Sequence, residues 1–66
     1  MTSPLKTARE EAGLTQEQLA AKSGISRQTI IAMERGVQPM WRTARQLAEA
    51  LGADPVALFP IEATRP

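Results

Sequence analysis

The chain has 66 residues and contains no cysteine, no histidine and no tyrosine. That length accommodates one domain with a small core, and the composition excludes a disulfide staple, a thiolate or imidazole metal site, a thiol nucleophile and an imidazole base. Eight Lys and Arg against seven Asp and Glu leave a net charge of +1, which neither announces nor forbids a polyanionic partner, because such binding follows where the charge sits.

Five short helices follow one another with clear punctuation. Ser3 before Pro4 has the form of an N-cap with proline at the first helical position. Leu5, Ala8 and Ala12 recur at helical spacing, and Gly13 closes that helix. Thr15 opens the second helix, with Gln18 three residues on completing a capping box. Leu19 and Ala20 form its apolar face, and Gly24 ends it. Ser26 caps a third helix expected over about Arg27 to Arg35, with Ile30 and Met33 on one face and Gly36 as its stop. Val37 to Pro39 is a loop. The fourth helix starts near Met40, and its stripe of Trp41, Ala44, Leu47, Ala48 and Leu51 faces inward. That spacing with Ala44 and Ala48 predicts a core position for Trp41. Gly52 ends this helix, and Asp54-Pro55 opens a short fifth helix through Leu58 and Phe59. No run alternates as a strand would. The expected fold is therefore all-α, a five-helix domain over residues 1–60 with a frayed tail over 61–66.

No apolar run approaches the roughly 20 residues that cross a bilayer. The opening Met-Thr-Ser-Pro-Leu-Lys offers no apolar stretch for a signal peptide, so the expected location is the cytoplasm. Catalytic chemistry lacks its parts. Glu10 and Glu11 are adjacent and diverge on a helix, Ser26 has no histidine to activate it, and Glu17, Glu49, Asp54 and Glu62 do not share a metal-ligand spacing. With no glycine-rich phosphate loop either, neither an enzyme nor a cofactor is expected.

The informative stretch runs from Thr15 to Gly36. Two short helices are joined at Ser23-Gly24-Ile25. Ala20 is small where they must approach, Gly24 can take a left-handed conformation, and Ile25 and Ile30 can lock the pair. These are the physical demands of a helix-turn-helix. The second of the two helices opens with Ser26, Arg27, Gln28 and Thr29. An Arg fork matches guanine and a Gln amide matches adenine in a major groove.

Leu5, Arg9, Gly13-Leu14-Thr15-Gln16, Leu19-Ala20, Ser23-Gly24-Ile25-Ser26-Arg27, Thr29-Ile30, Met33-Glu34-Arg35-Gly36, Pro39 and Leu47-Ala48-Ala50-Leu51-Gly52 stand in an ordered combination. It resembles the lambda-repressor-like, Xre/Cro-type helix-turn-helix family from Leu5 to about Phe59. The resemblance implies a DNA-binding regulator of transcription, expected as a repressor, with its recognition helix in the major groove of a palindromic operator. Ser26, Arg27, Gln28, Ile31 and Ala32 are then expected at the bases. Gln16, Thr29, Arg35, Gln38, Arg42 and Arg45 are expected at phosphates. It further implies an ion pair between Arg9 and Glu34, both of which face inward by their periodicity, and a homodimer formed through Val56 and Phe59.

Several of these positions keep two readings. Ser26 is an N-cap whether or not it also touches DNA, and Thr29 divides between contact and solvent. Arg45 either meets a phosphate or pairs with Glu49 along its helix. Ile31, expected at the surface, meets a thymine methyl, a partner protein or nothing. Val37 and Gln38 stand where the family often carries a basic residue, which shifts the phosphate grip to Arg42, Arg45 and backbone N–H groups. The competing function is an antitoxin or adaptor that acts through protein contacts of Ile31 and the tail. Contact with RNA polymerase is a further expectation.

Overall fold

The computed structural model describes residues 3–60, so the tail expected over 61–66 lies outside the described residues. The chain folds as α1 (Pro4–Glu11), α2 (Gln16–Ser23), α3 (Arg27–Glu34), α4 (Trp41–Leu51) and α5 (Pro55–Leu58). Local chemistry fixes the helix starts. Ser3 Oγ accepts from the Lys6 N–H at 3.0 Å. Thr15 Oγ1 accepts from the Gln18 N–H at 3.0 Å while Gln18 Oε1 accepts from the Thr15 N–H at 2.8 Å. Asp54 Oδ1 accepts from the Val56 N–H at 2.9 Å. Each cap satisfies a donor that the first turn leaves without a partner. Only α4 starts without a side-chain cap, at Met40.

Three helices end in the same way. The paired bonds of Gly13 N–H to Glu10 and Leu14 N–H to Arg9, of Gly36 to Met33 and Val37 to Ala32, and of Gly52 to Glu49 and Ala53 to Ala48 form Schellman motifs. In such motifs an apolar residue just past the turn commonly folds back on the helix. Leu14 and Ala53 do so against the core, whereas Val37 remains 59% exposed.

Helix α2 packs on α3 and α4, α1 packs on α3 and α5, and α4 packs on α5. Their apolar faces converge on Leu5, Leu19, Ile30 and Leu47, which are fully buried, joined by Met33, Ala44, Ala48, Leu58 and Phe59. Two expectations fail here. Trp41 is 58% exposed. Its spacing puts it in line with Ala44 and Ala48, but Met40, Trp41 and Arg42 are all exposed, so the first turn of α4 projects past the helices that bury the rest of the stripe. Phe59, expected at a dimer surface, is only 8% exposed and belongs to the core, because the chain leaving α5 turns it inward beside Leu58. Val56, on the other side of α5, is 47% exposed.

Candidate nucleic-acid interface

The turn between α2 and α3 differs from the other helix ends. Only the Gly24 N–H returns to its helix, to the Ala20 carbonyl at 2.9 Å, and the Ile25 N–H is taken by Ser23 Oγ at 3.2 Å. Gly24 sits at φ +79°, a conformation L side chains rarely adopt. One glycine thus reverses the chain in a few residues. Ile30 is fully buried and Ile25 half-buried, and together they hold α3 against the core.

That anchoring turns the opposite face of α3 outward. Arg27 and Gln28 are exposed, and neither makes a side-chain hydrogen bond or ion pair among the described residues. Ser26 is engaged twice: its Oγ accepts from the Thr29 N–H at 3.2 Å and donates to Thr29 Oγ1 at 2.8 Å. The two hydroxyls share one hydrogen bond, so one of their two protons remains for an outside acceptor. Further along the helix, Ile31 and Ala32 are half-buried, so Ile31 is not the exposed apolar side chain that its sequence position suggested.

At the far end of α3, Glu34 joins three helices. Its Oε2 accepts from Arg9 Nε at 2.7 Å, and its Oε1 accepts from an Arg9 terminal nitrogen at 3.3 Å and from Gln16 Nε2 at 3.0 Å. A second Arg9 terminal nitrogen donates to the Leu14 carbonyl at 2.8 Å. The two charged side chains are 10% and 5% exposed. The hydrogen bonds that Arg9 donates to Glu34 raise the Arg9 pKa above its ordinary value, more than burial lowers it, so the guanidinium stays charged. Gln16, expected as a free phosphate donor, is half-buried with one amide proton committed to Glu34. Sequence reasoning missed this link because nothing in the spacing joins position 16 to position 34.

An open groove of about 410 Å³ runs beside α3. Gln28, Thr29 and Ala32 line one side of it, and Val37, Gln38, Met40 and Thr43 line the other. Gln38 Nε2 lies 3.5 Å from the Pro60 carbonyl, a long contact that leaves the side chain exposed. Arg42 and Arg45 line a neighbouring face with Trp41 and Glu49. Arg45 and Glu49 are 3.8 Å apart and well exposed, so their pairing is weak. Arg35, the C-terminal cap of α3, is exposed. Val37, Met40 (79% exposed) and Trp41 form an apolar rim that the sequence did not signal, since Trp41 was expected inside. Val56 is not part of either groove.

Among the described residues, no helix is long and apolar enough to cross a membrane, and no group of three or more Asp or Glu side chains converges as metal ligands do. A family model described as helix-turn-helix matches residues 5–58. An uncharacterized HTH-type transcriptional regulator of Methanothermobacter thermautotrophicus is 46% identical over 55 residues, covering 82% of this chain and 80% of that protein. One from Methanocaldococcus jannaschii is 43% identical over 63 residues, covering 94% of this chain and 96% of its own length. A third, from Sinorhizobium fredii, is 47% identical over 51 residues, covering 76% and 66% respectively. No solved structure matches the chain significantly. Five helices with this turn between the second and third, together with a match over most of the chain, place the protein in the lambda-repressor-like helix-turn-helix family.

Proposed function

We propose that this chain regulates transcription as a repressor by binding double-stranded DNA sequence-specifically, with α3 in the major groove of a palindromic operator. The observation that carries the reading is the start of α3, where Arg27 and Gln28 are exposed and without side-chain partners among the described residues, on a helix whose other face is locked into the core. Those are the two side-chain types that pair bidentately with guanine and adenine. Thr29 and Gln38 line the groove with Gln28, and with the exposed Arg35 and Arg42 they supply donors for phosphates, Arg45 adding its own when it leaves Glu49. Ser26 serves first as the cap, and Ala32 lines the groove beside Gln28, where it can meet a thymine methyl. Ile31, half-buried, contributes at most its exposed edge.

The charge distribution fits this reading. Glu34 neutralises Arg9 inside the fold, and Arg27, Arg35 and Arg42 remain exposed beyond the Arg45–Glu49 pair. So few phosphate contacts give weak non-specific binding, and two copies reading half-sites roughly 34 Å apart supply what one lacks. With Phe59 in the core, the exposed Val56 is what remains of the expected dimer surface, and light scattering on and off DNA tests it. A strict monomer in both conditions removes the homodimer. The alternative, an antitoxin or adaptor, rested on Ile31, which is half-buried, and on residues 61–66, which lie outside the described ones; no observation favours it.

Salt-dependent binding to selected duplexes tests the main reading. Arg42→Ala is expected to weaken all sequences alike and to reduce the slope of log affinity against log salt by about one. Gln28→Ala is expected to relax preference at one base position. If Gln28→Ala leaves both affinity and preference intact, α3 is not the reading helix.

A further inference from the structure

We infer that Glu34 is a positioning residue for DNA: its carboxylate fixes the Gln16 side-chain amide so that the remaining Gln16 amide proton is presented to a phosphate. The inference rests on the DNA-binding reading above.

The two oxygens of Glu34 divide their work. Oε2 takes the short 2.7 Å bond from Arg9 Nε, and Oε1 takes Gln16 Nε2 at 3.0 Å together with a longer 3.3 Å bond from an Arg9 terminal nitrogen. A carboxylate only accepts, so the nitrogen of the Gln16 amide, and not its oxygen, must face Glu34. That settles the orientation of a group that otherwise has two equivalent settings. One Nε2 proton is then committed, and the other has no acceptor among the described residues. Gln16 is the first residue of α2 and half-buried, so the amide is held at the protein edge by an anchor that does not move with solvent. A glutamine swinging freely would lose rotamer freedom on meeting a phosphate, and this one has already lost it.

Arg9 has a second effect in this arrangement. A bare carboxylate near a phosphate would repel it, but the buried guanidinium of Arg9 neutralises Glu34. The ion pair that ties α1 to α3 thereby lets an acidic residue stand behind a phosphate donor. Glu34 takes three donors on its two oxygens; a glutamine at position 34 has one oxygen and turns its NH2 group toward the other side, so at least one of the three donors would be left without an acceptor.

The test combines NMR with binding. In 15N-labelled wild-type protein, the two Gln16 Nε2 protons are expected to be well separated, and the second is expected to move downfield when duplex DNA is added. Fluorescence anisotropy on a selected duplex then compares Gln16→Ala, the paired replacement Arg9→Met with Glu34→Leu, and all three changes together. The paired replacement leaves no buried charge behind, so it keeps the fold where Glu34→Ala alone risks losing it. Gln16→Ala is expected to weaken binding about tenfold, as loss of a hydrogen bond to a charged group does. The paired replacement is expected to cost about as much, with Gln16→Ala adding less than about twofold on top of it. The inference is overturned if DNA leaves the Gln16 amide signals unmoved, if the folded paired variant binds like wild type, or if the two losses multiply. Wild-type protein that binds no duplex at low salt removes the DNA reading and this inference together. Wild-type binding with independent losses removes the inference alone.

Discussion

Replacing Glu34 by alanine is expected to destabilise the fold severely, because it leaves a charge behind. Arg9 is a buried charged residue, and its side chain is 10% exposed. The change removes the 2.7 Å and 3.3 Å bonds to Arg9 and the 3.0 Å bond from Gln16, and only the Leu14 carbonyl at 2.8 Å remains to Arg9. Breaking a buried pair by removing one partner costs about 3–5 kcal/mol. The surviving Leu14 bond puts this case at the lower end, about 3 kcal/mol, which for a domain of this size lowers Tm by about 12–24 °C. The paired Arg9→Met, Glu34→Leu replacement is expected within about 1 kcal/mol of wild type, since it removes the desolvated charges together. Urea unfolding followed by circular dichroism measures both. The sign of the pH dependence also follows. Glu34 raises the Arg9 pKa, so the contribution of Arg9 is fully present below its unfolded pKa and is lost only as pH rises past the folded one. Between about pH 6 and pH 9 Arg9 therefore adds no slope to the stability curve. A loss below about 1 kcal/mol for Glu34→Ala would refute the reasoning, because it would mean that Arg9 reaches water or another acceptor at little cost.

Other perturbations give equally direct readings. Leu47→Ala, at a fully buried site in the centre of α4, is expected to cost about 2–5 kcal/mol in the same urea assay. Gly24→Ala is expected to cost about 1–2 kcal/mol from its left-handed backbone alone, since a Cβ there meets nothing nearer than Gln46 Nε2 at 3.9 Å; an unchanged midpoint would show that the turn relaxes. Trp41 is the single tryptophan and is more than half exposed. Its fluorescence is expected at solvent-exposed wavelengths, and Trp41→Ala is expected to cost less than about 1 kcal/mol, where a core tryptophan costs about 3–5. A blue-shifted emission would place it inside after all.

Most of the fold was legible because helix starts and stops are local chemistry. Ser3-Pro4, Thr15 with Gln18, Ser26 and Asp54-Pro55 act within three residues of themselves, and each caps the helix it was expected to cap. Periodicity found the core stripe of α4 but not where that stripe leaves its neighbours. Trp41 shares the spacing of Ala44 and Ala48 and is nevertheless exposed, because the first turn of α4 extends past the packed helices. Phe59 shows the reverse: a late position suggested surface, while the turn after α5 sends the ring inward. The Arg9–Glu34 pair could be anticipated from the family resemblance, whereas the bond from Gln16 could not. It depends on how α1, α2 and α3 pack together, which no spacing within one helix encodes. The apolar rim of Val37, Met40 and Trp41 was hidden for the same reason.

The central claim is that the start of α3 reads DNA sequence. Selection of bound duplexes from a random library tests it most directly, performed with wild type and with Gln28→Ala in parallel. The account predicts that wild type enriches a defined palindromic site with two half-sites about one helical turn apart. It predicts that Gln28→Ala loses preference at one symmetry-related position while keeping the others. Recovery of no enriched sequence by wild type, or of the same site with unaltered preference by Gln28→Ala, would contradict it.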